Sequence, residues 1–467
     1  MLQFTKLDKN VNIIKPYLLT KKEPFCDLSV GVKYMWRDDF IIDYAIYNDT
    51  LIMKETCPDY KDAFYFPLGK DIDGALCQIE EYALKNFMPL QFCCIDNQTA
   101  VYLNQRYNSV SITNDRDWSD YIYDAEKFKT YSGKKYSGQR NHVNKFTKLY
   151  PDYKFKQIER EDFAKIKEFL DAYNSKNEYL RWSEKVEQQK VFDLVENMFE
   201  LDQVGGLIEV DGKVVAFSIG EKINDTLIVH VEKALTEYAG VYPTMAKEFA
   251  VHFADKGIKY INREEDCGDV GLRISKLQYG PIDVKEKNLI TVKTLFDKIG
   301  AMVYITAEDL VLTDHNERDM VDYYELYTDD DLNNWWGYDY REDLGDGAAT
   351  PEYFYSFQNL LKQRKEEYSL LVKKQGIVLG EVVLHNFDYF GGVEIGFRLK
   401  KQHHGKGYAT IAVKALIDYA FETLGAKKVK TRCFKQNQPS FNLITRLGFT
   451  KESQSDTHYF FSMKKIV

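Results

Sequence analysis

A mixed α/β fold built from three consecutive units of one kind is what this sequence predicts, on three observations. The 467 residues correspond to roughly three domains at about 150 residues each. A hairpin followed by strand, helix, strand and helix recurs three times along the chain. Near the C-terminus, a strand-like run leads directly into a glycine-spaced turn and a long amphipathic helix.

The first copy is the faintest. It has a hairpin around Asn48-Asp49, a strand near Phe64-Tyr65-Phe66, a helix at about 72–87, a strand from Leu90 to Ile95 and a helix at about 98–107. The middle copy opens on a hairpin from Gly206 to Phe217 whose Asp211-Gly212 pair is a strong two-residue turn signal. A strand (Leu227 to Val231), a helix (243–256), a strand (Lys259 to Asn262) and a shorter helical stretch follow. The third copy has its hairpin at Gln375-Gly376, a strand over 393–399 and a helix over 407–424. In that helix Ala409, Ala412, Leu416 and Ala420 fall at helical spacing, and Gly425 sits at the C′ position. A strand at 427–434 precedes a short helix, 438–447, capped by Asn437 with Pro439 in its first turn and closed by Gly448. Strands alternating with helices after a hairpin imply partly parallel sheets. The boundaries are expected near Pro151 and near 305–308, giving units 1–150, 151–307 and 308–467.

Hydrophobic residues at 44% suffice for packed cores, and 29% charged residues fit a soluble protein. A net charge of −9 argues against a chain-wide nucleic-acid surface. No run approaches a membrane span, and no apolar signal core opens the chain. The seven cysteines include no C-x-x-C pair, so neither zinc nor a disulfide framework is expected, and a reducing cytoplasm is the natural compartment.

The chemistry concentrates at the strand Val393 to Leu399 and the turn Gln402-His403-His404-Gly405-Lys406-Gly407-Tyr408-Ala409. Glycines at a strand-to-helix turn let the backbone approach a ligand closely. The free N–H groups of the helix's first turn, with its dipole, attract a phosphate. A diphosphate-bearing ligand is the expectation. The middle copy reads Tyr238-Ala239-Gly240-Val241-Tyr242-Pro243 at the same place, with one glycine and a proline that removes a donor. It is not expected to bind such a ligand in that way.

These residues resemble the GCN5-related N-acetyltransferase superfamily (GNAT), in its branch acting on ribosomal-protein N-termini and similar amines. Gln402, Gly405 and Gly407 match the family's pyrophosphate motif, and Asn437, Ser440, Leu447, Gly448 and Phe449 match its later element, over residues 309–467. The resemblance implies acetyl-CoA as co-substrate, a primary-amine acceptor and no metal. It places the cofactor against Phe397, Leu399, Gln402, His404, Gly405, Lys406, Gly407, Tyr408, Ala409 and Asn437. It implies Glu394 as the carboxylate that helps deprotonate the amine, with a strand-end salt bridge as the structural alternative; His385 and His458 are reserve candidates. Many family members carry a tyrosine acid seven residues after the asparagine, where this chain has Ile444; Tyr459 is the remaining candidate. Trp335 and Trp336 are read either as a wall of the acceptor groove or as packing.

Residues 1–305 resemble a second family, the uncharacterised bacterial proteins related to the C-terminal domain of phosphatidylglycerol lysyltransferase. The resemblance rests on Gln139 to Phe146, His230-Val231-Glu232-Lys233-Ala234, Asn262 to Asp266, and Leu272 to Lys276 with Tyr279 and Pro281. It implies paired acetyltransferase-like folds akin to enzymes that draw on aminoacyl-tRNA. Between Lys127 and Tyr150, seven Lys/Arg residues alternate with Phe128, Tyr131, Tyr136, Phe146 and Tyr150 and with no acidic residue. That pattern suits tRNA or an anionic lipid, or simply a solvated helix face. Glu264, Glu265 and Asp266 beside Arg263, Arg273 and Lys276 are either a small polar site or a pinned loop. The leading reading is acetyl-CoA-dependent N-acetyl transfer by the third unit. Aminoacyl transfer by the first two units and acyl-CoA binding without turnover are the alternatives.

Overall fold

The computed structural model describes residues 2–21, 25–57, 61–175, 182–337, 339–344 and 347–465. Tyr338, Gly345 and Asp346 lie outside them. Three mixed sheets form the scaffold. Each hairpin predicted from its turn residues is present. Both central residues have positive φ at Asn48-Asp49 (46° and 57°), Asp211-Gly212 (50° and 76°) and Gln375-Gly376 (49° and 83°). That is the two-residue geometry whose twist matches the flanking strands.

Each sheet also contains one parallel pair joined by a helix. Lys61–Tyr65 and Gln91–Ile95 flank helix Ile72–Lys85. Thr226–Ala234 and Tyr260–Asn262 flank helix Val241–Phe253. Gly392–Leu399 and Lys428–Phe434 flank the helix that starts at Tyr408. The same supersecondary unit is therefore written three times.

The chain nonetheless divides into two compact units. One comprises 1–82, 90–101 and 112–291; the other comprises 83–89, 102–111 and 292–467. Strands from either side of residue 150 share sheets. In the third sheet, Lys428–Phe434 is followed outward by His458–Lys464 and then Thr450–Gln454, all local in sequence. In the first sheet those two places are taken by Asn288–Val292 and Val110–Asn114. In the second they are taken by Asp120–Asp124 and Asp283–Lys285. The first two copies thus exchange strands: residues 120–124 complete the second sheet and residues 288–292 the first. One core cluster runs through both, from Val30, Met53 and Tyr65 to Phe217 and Val231, and a second lies around Tyr121, Ile208, Met245 and Tyr279. Strand Tyr304–Ala307 already belongs to the third sheet.

In the C-terminal unit, Leu370, Val382, Ile395, Val413, Leu416 and Val429 form the core under the long helix. The opposite face of the sheet is covered at one end by Tyr323, Leu326, Tyr327 and Phe354. The helix runs Tyr408–Asp418 and widens into a π turn at Tyr419–Thr423 before Gly425 ends it.

Candidate functional site

Strands Gly392–Leu399 and Lys428–Phe434 pair in parallel only from Gly392↔Lys428 to Glu394↔Lys430. Both continue beyond that point. Thr431 Oγ1 donates to the Ile395 carbonyl at 3.0 Å, and past this bond the registered pairing stops, leaving a V-shaped opening. Phe397 and Leu399 lie on one arm and Asn437 beyond the end of the other. Glu394 sits at the vertex.

The turn that follows the first arm is open. Gly405 (φ 73°) and Gly407 (φ 85°) both adopt the left-handed conformation, and a Cβ added at either would meet nothing within 4 Å. Gly407 is the N-cap of the helix and offers no side-chain acceptor to its first-turn N–H groups. Thr410 and Ile411 N–H close back on the Gly407 carbonyl. The cradle fits a diphosphate, with free space where a side chain would lie and a helix N-terminus behind it. Gly240, the N-cap of the middle helix, shares the backbone conformation (φ 91°) and differs in its surroundings. A Cβ there would stand 2.2 Å from the His142 carbonyl oxygen, because helix Ser137–Leu149 fills that space. The missing second glycine is therefore matched by a blocked cradle.

Around the open turn, the predicted residues divide. His404 Nε2 is hydrogen-bonded to the Leu399 carbonyl at 2.8 Å, and Lys406 Nζ donates to the Gln402 carbonyl at 3.2 Å, so both brace the turn. Gln402 is exposed and its amide lies 3.3 Å from His403 Nε2. Tyr408 accepts from Lys374 Nζ at 2.9 Å, while Ala409 packs against the core below. Asn437 Oδ1 accepts from Ser440 N–H at 3.1 Å as a helix cap, leaving only its amide nitrogen to face a ligand.

Glu394 is engaged on both oxygens. Oε2 accepts from Asn386 Nδ2 at 2.9 Å, and Oε1 lies 3.3 Å from Arg432 Nε. Neither partner was foreseen from sequence; Arg432 arrives through the parallel register, which no local pattern encodes. His385 stands directly opposite Glu394 in the ladder. Burial pulls its imidazole below the ordinary histidine range, against the attraction of Glu394. His458 is drawn down likewise, by burial and by Arg432, and lies on Phe434 with ring centroids 4.0 Å apart. Trp336 lies over Arg398 at 4.7 Å, and a Cβ on Gly396 would come within 3.0 Å of it. Trp335 meets Phe434 edge-on at 6.1 Å. Both tryptophans therefore pack against the two strands, Trp336 on Gly396 and Arg398 and Trp335 on Phe434. Ile444 is 1% exposed in the core, so no acid stands at that position. Tyr459 packs against Phe441, with Lys451 Nζ 4.5 Å from its ring centroid.

The N-terminal unit holds a cavity of about 1270 Å³, lined from both its sheets. Lys287 Nζ sits at its floor, 2.7 Å from Asp120, 3.3 Å from Glu265 and 3.2 Å from Cys26 Sγ, and also pairs with Asp27. Cys26, Asp120 and Glu265 are spaced as metal ligands would be, yet the Lys287 ammonium already supplies the cation. Burial, reinforced by Asp27 and Asp120 against the pull of Lys287, raises Glu265 to about 7. Higher on the wall, His230 is clamped between Glu264 (2.8 Å) and Glu221 (3.5 Å). Burial opposes its charge, but the two carboxylates raise it to about 9. Glu221 also accepts from Val30 and Gly31 N–H, tying that helix start to the strand. Arg263 Nη2 donates to Glu232 at 2.8 Å, and Nη1 is buried without a hydrogen-bond partner. Asp266 is the loop pin, accepting from Arg273, Tyr121 and Gly268.

The basic segment is corrected in one respect. Phe128, Tyr131, Tyr136 and Phe146 are buried, so they do not interleave with the cations as stacking platforms. Arg140 donates to the Tyr131 and Gly133 carbonyls, and Lys135 to Gly280. Leu149, on the same helix, is exposed.

Comparison with known proteins agrees with this division. Residues 22–290 match the family described as phosphatidylglycerol lysyltransferase, C-terminal, and residues 309–450 match the acetyltransferase (GNAT) domain. An uncharacterized N-acetyltransferase, p20 of Bacillus licheniformis, is 36% identical over 93 residues, covering 20% of this chain. That match spans about half of p20 itself (52%). The uncharacterized N-acetyltransferase YnaD of Bacillus subtilis is 24% identical over 153 residues, 32% of this chain and 84% of that protein. A conserved protein of unknown function from Bacteroides thetaiotaomicron superposes with a TM-score of 0.58 at 29% identity, over 63% of this chain and all of that one. No described helix is long and apolar enough to cross a membrane.

Proposed function

From the premise that this chain belongs to the phosphatidylglycerol lysyltransferase C-terminal family and is an acyltransferase carrying a GNAT domain, we propose that its C-terminal unit transfers an acetyl group from acetyl-CoA to a primary amine. The observation that carries this reading is the V-shaped opening with Glu394 at its vertex and the unobstructed Gly405–Gly407 turn at its mouth. A pantetheine arm laid along Phe397 and Leu399 would find backbone groups there, and its diphosphate would reach the helix start. The thioester would then end beside Glu394. Acetyl transfer needs an unprotonated amine, and an amine of pKa about 10 is almost wholly protonated at pH 7. A carboxylate at the vertex attracts the ammonium and helps remove its proton. The leaving thiolate takes its proton from water or the amine, since Ile444 offers none.

A second reading has its own observation, the N-terminal unit's cavity. Its size and its buried acid–base groups suit aminoacyl transfer, with tRNA or an anionic lipid as partner. Profiling a panel of small amines and peptide N-termini with acetyl-CoA, read as free thiol released, tests the first reading. Acetylation of at least one class of amine is the expected result. Tight acetyl-CoA binding without transfer to any member would contradict it and leave a binding module.

A further inference from the structure

We propose that the proton taken from the acceptor amine comes to rest on His385, with Glu394 as the carboxylate that guides the ammonium and hands the proton on. This proposal rests on the transferase reading above and names the acid–base machinery of that same site.

Three geometric facts support it. His385 and Glu394 are direct partners in an antiparallel ladder, so their side chains share one face of the sheet with Cβ atoms about 5 Å apart. The next residue, Asn386, leaves the strand with φ 49° and donates to Glu394 Oε2 at 2.9 Å. Consecutive side chains from one strand end thus address the same carboxylate. Finally, Glu394 lies where the parallel pairing with Lys428–Phe434 ends, at the only vertex the described strands of this sheet form around a parallel pair.

Glu394 alone is a poor terminus for the proton. Arg432 lies 3.3 Å from one oxygen and Asn386 Nδ2 donates to the other at 2.9 Å. A proton placed on Glu394 would have to displace that pairing. Burial keeps the neighbouring imidazole in its neutral form, which carries one unprotonated ring nitrogen able to take the proton. The charged groups facing it are Glu394 from one neighbouring strand, Glu367 opposite it from the other, and Arg432 beyond Glu394. Once His385 is protonated, Glu394 and Arg432 pull in opposite senses, and the carboxylate is the nearer in the ladder.

The proton count closes. The ammonium gives one proton through Glu394 to His385, which later returns it to solvent. The neutral nitrogen attacks the thioester carbonyl carbon, a C–N bond forms and the C–S bond breaks. A second proton leaves the nitrogen and ends on the departing thiolate, so the amide keeps one hydrogen.

The test compares the wild-type chain with His385→Gln and Glu394→Gln, using acetyl-CoA and the amine panel from pH 6 to 10. For His385→Gln the expected result is unchanged acetyl-CoA affinity by calorimetry and turnover about a hundredfold lower at pH 7. The deficit should shrink as pH approaches the amine's own pKa. Added imidazole should restore part of the rate to His385→Ala, an effect that a merely structural histidine would not show. A pH profile of His385→Gln that superimposes on wild type, with Glu394→Gln impaired, would overturn the proposal while leaving the transferase reading intact. Acetyl-CoA binding with no amine acetylated by the wild-type chain would overturn both.

Discussion

Single residues decide where charge and space are available in this protein. His230 is the clearest case: buried, yet held charged by Glu221 and Glu264, with its pKa raised from 6.5 to about 9. A group whose pKa is higher folded than unfolded contributes stability that is complete below the unfolded value and lost as pH rises through the folded one. Replacing His230 with Gln should therefore cost the N-terminal unit most below about pH 6.5 and progressively less toward pH 9. Thermal midpoints of the two chains, measured side by side, should converge over that window; a difference independent of pH would contradict the assignment. Glu265, raised by burial, titrates in both chains and cancels in the comparison. At this scale the sequence was informative where a residue's role depends on its neighbours in the chain. Gly405, Gly407 and the capping Asn437 could be read because turns and caps are local. Arg432 beside Glu394, and Lys287 beside Glu265, could not, since Arg432 arrives from a strand distant in sequence and Lys287 from the connection between two strands.

Elements were legible for the same reason. The Asn48-Asp49, Asp211-Gly212 and Gln375-Gly376 turns carry their own geometry, and the strand–helix–strand units between them follow from periodicity. What local pattern does not encode is which sheet an edge strand joins. Strand Asp120–Asp124 and strand Asn288–Val292 are ordinary alternating segments, and either copy's sheet could accept either one. Their exchange makes the first two copies one body, with a core cluster shared between them. Cleaving the gene between residues 150 and 151 would thus separate Asp120–Asp124 from the sheet it completes, and Asn288–Val292 from the other. Fragments 1–150 and 151–291, made separately, should each show non-cooperative unfolding, whereas the two co-expressed should recover a single sharp transition. Independent cooperative folding of both fragments would contradict the exchange.

Across the whole molecule, one βαβ unit occurs three times, and the middle and third copies differ in the space they leave for a diphosphate. The difference between Gly240, with a carbonyl oxygen 2.2 Å from where its Cβ would be, and Gly407, with nothing within 4 Å, is what the proposal of acetyl-CoA binding at the C-terminal unit rests on. The sequence pointed to that copy through its second glycine, but the blocked cradle of the middle copy depends on helix Ser137–Leu149, more than ninety residues upstream of Gly240. The measurement that tests this most directly is titration calorimetry of acetyl-CoA with the wild-type chain, Gly407→Val and Gly425→Val. Gly425 also has positive φ (71°) and lies at the far end of the same helix, so its variant carries a similar backbone strain without touching the turn. The account predicts that Gly407→Val weakens binding more than tenfold, about 1.4 kcal/mol, while Gly425→Val binds as wild type does. Unchanged affinity in Gly407→Val would contradict the placement of the cofactor and the function built on it.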